Sequence, residues 1–260
     1  MIKKVLLGGF VFAACAGFCQ QPSATPDKKT GSGSVIGGII NSEPAVDLPS
    51  LVRETQKIET RNNKIGMFWW IPTDFWEISW KKQGHSSEEA REKFLPLRKY
   101  NLFLIAAGTT ETGNIKWRTE EEIRKAIVLF DSNGNIYRPI EVVPLDIQTL
   151  FDTLKPTLKL TMGRMGENSY CLLFPTMGPV GAPSADLRKP SEISMQVRNL
   201  MGPSTDIYAW RLPLSALSPP RYCPVGKEQL EPSWRYCPWH GIKLPDEAPE
   251  QPAATPSNSK

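Results

Sequence analysis

Residues 64–82 read KIGMFWWIPTDFWEISWKK, and how they fold decides the architecture of the chain. KIGMFWWIP is an apolar run of strand length that Pro72 ends, because proline cannot donate to a sheet ladder. TDFWEISWKK has helical spacing, with Thr73 as its N-cap. Trp76 and Trp80 stand four apart and therefore on one helix face. Six aromatic residues crowd into this stretch: Phe68, Trp69, Trp70, Phe75, Trp76 and Trp80. Neighbouring strand residues point to opposite faces, so Trp69 and Trp70 cannot both enter one core. Burial of all six is the simpler expectation. An exposed subset among Trp69, Trp70, Trp76 and Trp80 would instead form a stacking surface for a glycan or a partner protein.

Outward from this stretch the pattern is strand-rich. SSEEAREKFL is a helix with Ser86 and Glu89 spaced as a capping box. YNLFLIAAG is a continuous apolar run, as expected of a central strand buried on both faces. NIKW is a further short strand, and RTEEEIR carries a second capping box, Thr119 with Glu122. AIVLFDSNGNIYRPI places Asn133-Gly134 between two apolar runs, the signature of a tight hairpin. LDIQTLFDTLKPTLKLTMG has helical spacing, with a kink or division expected at Pro156 and a stop at Gly163. SYCLLF is a strand, and residues 175–191 are a proline-rich loop. EISMQVRN and DIYAWRL alternate apolar and polar residues, as half-buried strands do. About eight strands without regular βαβ alternation predict a mainly-β fold with helical insertions, an antiparallel, Ig-like β-sandwich.

The amino-terminal MIKKVLLGGFVFAACAGFCQQ places two lysines before an apolar run that is too short to span a bilayer. Residues 1–19 are therefore expected to be a signal peptide. Phe12-Ala13-Ala14-Cys15 resembles a bacterial lipobox, in which Cys15 would be lipidated. A cut after Ala16 would instead release a soluble protein. Both endings imply export to the periplasm or outer membrane, or secretion, and an oxidising compartment. Residues 20–60 are rich in Pro, Gly and Ser at their start and are expected to be a flexible linker, with a short helix near residues 49–58. The sandwich domain is assigned to 61–217, a small knuckle to 218–244 and a disordered tail to 245–260.

Composition excludes more than it assigns. The 260 residues carry a net charge of +4, with no basic block, which argues against nucleic acid as a partner. Only two histidines, His85 and His240, occur. There is no G-x-S-x-G, H-E-x-x-H or Walker motif, so no enzyme is expected. Asp131, Asn133 and Asn135 alternate as in a calcium loop, but Ile136 and Val142 occupy its glycine and closing glutamate positions.

The tetrapeptide RYCP occurs twice, at residues 221–224 and 235–238. The stretch 221–244 resembles a bacterial zinc ribbon, whose two C-P-x-C-G knuckles present four thiolates to one metal. CPWHG supplies Cys237 and His240 at ligand spacing. CPVGK supplies Cys223, but Gly226 stands at the second ligand position. The resemblance implies two alternatives. Cys223, Cys237 and His240 hold zinc with three of four ligands, as a zinc-binding protein or as the open centre of a metal-dependent enzyme, or the two sulfurs, brought together as in a ribbon, form a disulfide. The disulfide would close a loop of about 15 residues, stabilising by roughly 3 kcal/mol. It needs no cofactor and is the expected state outside the cytoplasm. Cys171 is then a buried free thiol. FWWIPTDFW with a sandwich-like region and a ribbon-like tail resembles uncharacterised secreted bacterial proteins. The resulting expectation is a non-enzymatic envelope protein, tethered to the membrane only through a lipid. Its partner would be another envelope protein or a glycan.

Overall fold

The computed structural model describes residues 46–176, 187, 190–218 and 221–245. The signal peptide with Cys15, most of the linker, most of the loop after residue 175 and the tail beyond 245 lie outside the described residues.

The first described element corrects the expected domain boundary. Helix α1 (Leu48–Thr55) and strand β1 (Gln56–Glu59) fall within the stretch expected to be linker, yet they belong to the domain. Asp47 caps α1 by accepting from the Ser50 amide. Leu51, Val52 and Thr55 are buried. Composition misled here because the Pro/Gly/Ser bias ends before residue 48, where a helix-compatible apolar spacing begins.

Strand β2 (Lys64–Trp70) is followed by helices α2 (Thr73–Lys81) and α3 (Ser87–Phe94) and by one 3-10 turn, Leu95–Lys99. Pro72, not Thr73, is the N-cap of α2. Ser86 and Glu89 close the expected capping box at α3. The long strand β3 (Tyr100–Glu111) runs antiparallel to β2, and its opposite edge is shared. Its first half pairs with β7 (Tyr170–Pro175) and its second half with β4 (Asn114–Trp117). With β1 at the edge, this makes a five-stranded antiparallel sheet. Between β4 and β7 come α4 (Glu120–Ala126), β5 (Ile127–Phe130), β6 (Ile136–Tyr137) and α5 (Leu145–Glu167). The expected Thr119/Glu122 box caps α4. The long helix α5 breaks at Gly163, where φ is 57°, and runs through Pro156 without a break.

A second sheet has the order β6-β5-β8-β9, with β8 spanning Ser191–Arg198 and β9 Thr205–Leu212. The sheets meet through aromatic rings. Phe68 stacks on Tyr208 at 4.2 Å between centroids, and Phe103 meets Trp210 edge-on at 5.1 Å. At the rim, the Lys64 ammonium donates to Asp206 at 2.6 Å and to Ser204 at 2.8 Å, joining β2 to β9.

The expectation of a mainly-β chain is corrected: helix and strand each account for about a third of the described residues, and neither sheet closes. The reason lies in β2. Phe68 and Trp70 face the second sheet, whereas Trp69 faces α1 and α2, donating to Thr55 Oγ1 and meeting Phe75 edge-on. A sheet with apolar residues on both faces needs cover on both. The helices provide it on the side the second sheet leaves open.

The Asn133-Gly134 hairpin is present in a modified form. Only Gly134 has positive φ (79°), and the Asp131 amide donates to Asn135 O, so three residues form the loop. That is a type I turn followed by a left-handed residue, not the two-residue turn expected. Asp131 organises it by accepting from the Asn133 and Asn135 amides, the Asn135 side chain and the Tyr137 hydroxyl. These bonds consume the carboxylate that a calcium loop would offer to metal.

Candidate metal centre

Beyond the second sheet the chain makes a 3-10 turn, Ser215–Leu217, and then a small two-stranded unit, β10 (Arg221–Tyr222) with β11 (Gln229–Leu230). Glu54 of α1 accepts from the Ser215 and Ala216 amides, and Ser215 Oγ donates to Glu231. This unit has its own small core of Cys223, Leu230, Cys237 and Leu244, flanked by Trp234 and Ile242. Arg221 is buried and donates to the carbonyls of Pro232, Trp234 and Pro245, tying the ends of the unit together.

The repeated RYCP is the visible part of a longer repeat. RYCPVGKEQL (221–230) and RYCPWHGIKL (235–244) fold alike, fourteen residues apart. Tyr222 pairs with Gln229, and Tyr236 bridges Lys243. The Cys223 amide donates to Glu228 O, and the Cys237 amide donates to Ile242 O, both at 2.9 Å. The Cys223 carbonyl accepts from the Lys227 amide, and the Cys237 carbonyl accepts from the Gly241 amide. Lys227 and Gly241 both adopt left-handed backbone, with φ of 61° and 64°. Leu230 and Leu244 are buried to the same extent. Each repeat is thus a complete knuckle.

Four side-chain donors converge between the knuckles. One atom each from Cys223, Glu228, Cys237 and His240 lies within 4.8 Å of all the others. His240 Nδ1 is 3.4 Å from both sulfurs. One ring nitrogen has one lone pair and cannot accept from two thiols at once. A metal held by all three atoms would set such equal distances. Tetrahedral zinc with ordinary Zn–S and Zn–N bonds sets sulfur and nitrogen about 3.5 Å apart. Glu228 Oε2 stands 3.9 Å from the same Nδ1, somewhat wider than the ~3.4 Å of an ideal tetrahedron. That oxygen is shielded from water and has no hydrogen-bond partner. A buried acceptor without a donor is costly, and a cation would satisfy it.

Glu228 is the candidate donor that sequence reasoning missed. The second ligand was sought at the third position after Cys223, where Gly226 stands. Instead it comes from the fifth, the position of Ile242 in the other repeat. Gly226 makes this possible, because a Cβ built there would collide with the Glu228 carboxylate. The paired gap-and-carboxylate pattern, G-x-E against H-x-I, is the signal that aligning the two repeats would have exposed.

The expected Cys223–Cys237 disulfide is not formed; both are free thiols, as is Cys171. The imidazole nitrogen drawn up to both sulfurs fits a centre in which they are held apart as ligands. Cys171 lies on β7 against the main core, away from the ribbon core, and burial pushes its thiol well above the usual range.

The aromatic cluster is buried throughout, the simpler of the two expectations, and the alternative of a stacking surface is overturned. Trp69, Trp70, Trp76 and Trp80 are all buried, so they present no stacking surface. Trp76 meets Phe75, Phe94 and Phe151, and Trp80 is covered by His85 at 3.9 Å and by the Lys93 ammonium at 4.0 Å. His85 therefore has a packing role beside the helices. Exposed aromatics occur on the ribbon instead, at Tyr222, Tyr236 and Trp239.

Comparison with protein-family models, curated proteins and solved structures gave no match. Among the described residues, no helix is long and apolar enough to cross a membrane.

Proposed function

We propose that this chain is a non-enzymatic exported protein whose carboxy-terminal ribbon is built around one structural zinc ion. Cys223, Glu228, Cys237 and His240 are its ligands. The carrying observation is the convergence of these four donors within 4.8 Å. Two further facts support zinc over harder cations: half the donors are thiols, and imidazole is the third. A complete set of four protein ligands is the pattern of structural sites, whereas catalytic sites keep a position for water. The small ribbon core, four buried residues, is too little to order such a unit alone, and a metal supplies that deficit.

Export, tethering at Cys15 to the periplasmic or outer-membrane face, and a role in binding or assembly are proposed from the amino-terminal sequence. The sandwich arrangement of the two sheets is proposed from the Phe68–Tyr208 and Phe103–Trp210 contacts. The narrower Ig-like grouping rests on the strand pattern of the sequence alone.

The test is metal analysis with intact mass on protein purified without added metal. One zinc per chain with Cys223 and Cys237 reduced is expected. Metal-free protein with the two cysteines joined, and no zinc uptake after reduction, would reject the zinc centre.

A further inference from the structure

We infer, resting on the zinc reading above, that Cys223 and Cys237 are a zinc–disulfide exchange pair, in which peroxide oxidation joins the two sulfurs and expels the metal. Each sulfur comes from an equivalent position of the two repeats, and both reach the same Nδ1 at 3.4 Å. Ligand sulfurs of a tetrahedral zinc lie about 3.8 Å apart, and a disulfide needs about 2.05 Å. The closing movement is therefore under about 2 Å, within the reach of small side-chain and backbone shifts.

The hydrogen bonds that shape each knuckle run between backbone groups of the same repeat. They involve no ligand atom of the site, so a new sulfur–sulfur bond can take over from the metal in holding the two knuckles together while the sulfurs move. The ligands also differ in strength of hold. Cys223 and Cys237 are buried, whereas the His240 and Glu228 side chains are about a third exposed. Glu228 is the one hard oxygen donor, held in place by the space above Gly226. With His240 it forms the more exposed side of the site, from which a small oxidant would approach the buried sulfurs. Among the described residues the only other thiol, Cys171, belongs to the other core and does not compete.

The chemistry balances with hydrogen peroxide as oxidant. One zinc-bound thiolate attacks a peroxide oxygen, the O–O bond breaks, and a sulfenic acid forms with release of water after protonation. The second thiolate attacks that sulfur and displaces hydroxide, which takes up a proton. Two thiolates, one peroxide and two protons give one disulfide and two waters. The two electrons lost by sulfur are those gained by peroxide. Zinc, left with only His240 and Glu228, dissociates to solvent.

The experiment treats the full-length zinc-loaded chain with hydrogen peroxide. Zinc release is followed with a colorimetric chelator, and the products by intact mass and peptide mapping. One zinc released for each Cys223–Cys237 disulfide is expected, with reduction plus zinc restoring the starting state. Cys171→Ser should release zinc as the wild type does. Zinc release with sulfinic acid at either cysteine, a bridge to Cys171, or a centre that keeps its metal under peroxide would overturn the exchange while leaving the zinc site intact. A chain that takes up no zinc before any oxidant is added instead fails the zinc reading itself. Because mapping is done on the wild type, the result does not depend on a cysteine variant that fails to fold.

Discussion

Gly226 and Glu228 stand two residues apart, and the side chain that the first lacks is what admits the carboxylate of the second. A Cβ at residue 226 would occupy the volume that the Glu228 carboxylate fills. Because residue 226 is exposed and makes no core contact, Gly226→Ala should leave the fold intact and push Glu228 out of the centre. Zinc affinity should fall on the order of 10–100-fold, the range seen when the support of a metal ligand is lost. Competition titration against a chelator measures it. Val225→Ala, one residue away on the exposed tip, should leave the affinity unchanged.

Removal of the metal should loosen the ribbon and spare the sheets. The two units have separate cores, one of four residues and one of more than thirty. With the zinc chelated, the amides of Lys227 and Gly241, which close the knuckles, should exchange with deuterium much faster. The β3 amides, paired on both edges, should keep their protection. Uniform loss of protection across β3 as well would show that the ribbon supports the whole domain.

Burial separates two kinds of tryptophan, and substitution should report the difference. Trp76 is buried and touches three aromatic rings, so Trp76→Ala should destabilise by about 3–5 kcal/mol. Trp239 is 61% exposed at the tip of the second knuckle. Trp239→Ala should change stability by less than about 0.5 kcal/mol. Denaturant unfolding at neutral pH checks both.

The elements with local punctuation were legible in the sequence. Ser86/Glu89 and Thr119/Glu122 marked helix starts, and the alternation in 192–198 and 206–212 marked β8 and β9, because capping and pleat are decided by neighbours in the chain. What depended on tertiary cover was not legible. Gln56–Glu59 has no strand signal of its own and becomes β1 by pairing with β2. Trp69 and Trp70 showed that two faces needed cover but not that helices would share the task. Three donors of the candidate centre were legible, since Cys-x-x-His is a local spacing and RYCP repeats. Glu228 enters from a position that only the folded knuckle brings inward.

Asp131 gives the hairpin a pH dependence whose sign can be worked out. Burial alone would raise its pKa, since a carboxylate withdrawn from water resists ionising. Hydrogen bonds from Asn135, Tyr137 and Asn133 favour the charged form and prevail, holding the group below its ordinary value near 3.8. The Tyr137 hydroxyl moves the other way, pushed up to about 12 by burial and by the charge it faces. A carboxyl depressed in the folded state binds its proton more tightly when unfolded. Its stabilising contribution is therefore complete above the unfolded value and is lost as the pH falls through the lower folded value. Asp131→Asn keeps the shape but removes the charge, and should cost about 1–3 kcal/mol at pH 7. As the pH drops below about 3.8 the gap between wild type and variant should close, because the unfolded wild-type chain then takes up a proton that the folded carboxylate still resists. Thermal unfolding of both proteins from pH 7 to pH 2.5 measures the gap directly, and a gap that stayed constant across this range would remove Asp131 from the account of acid sensitivity.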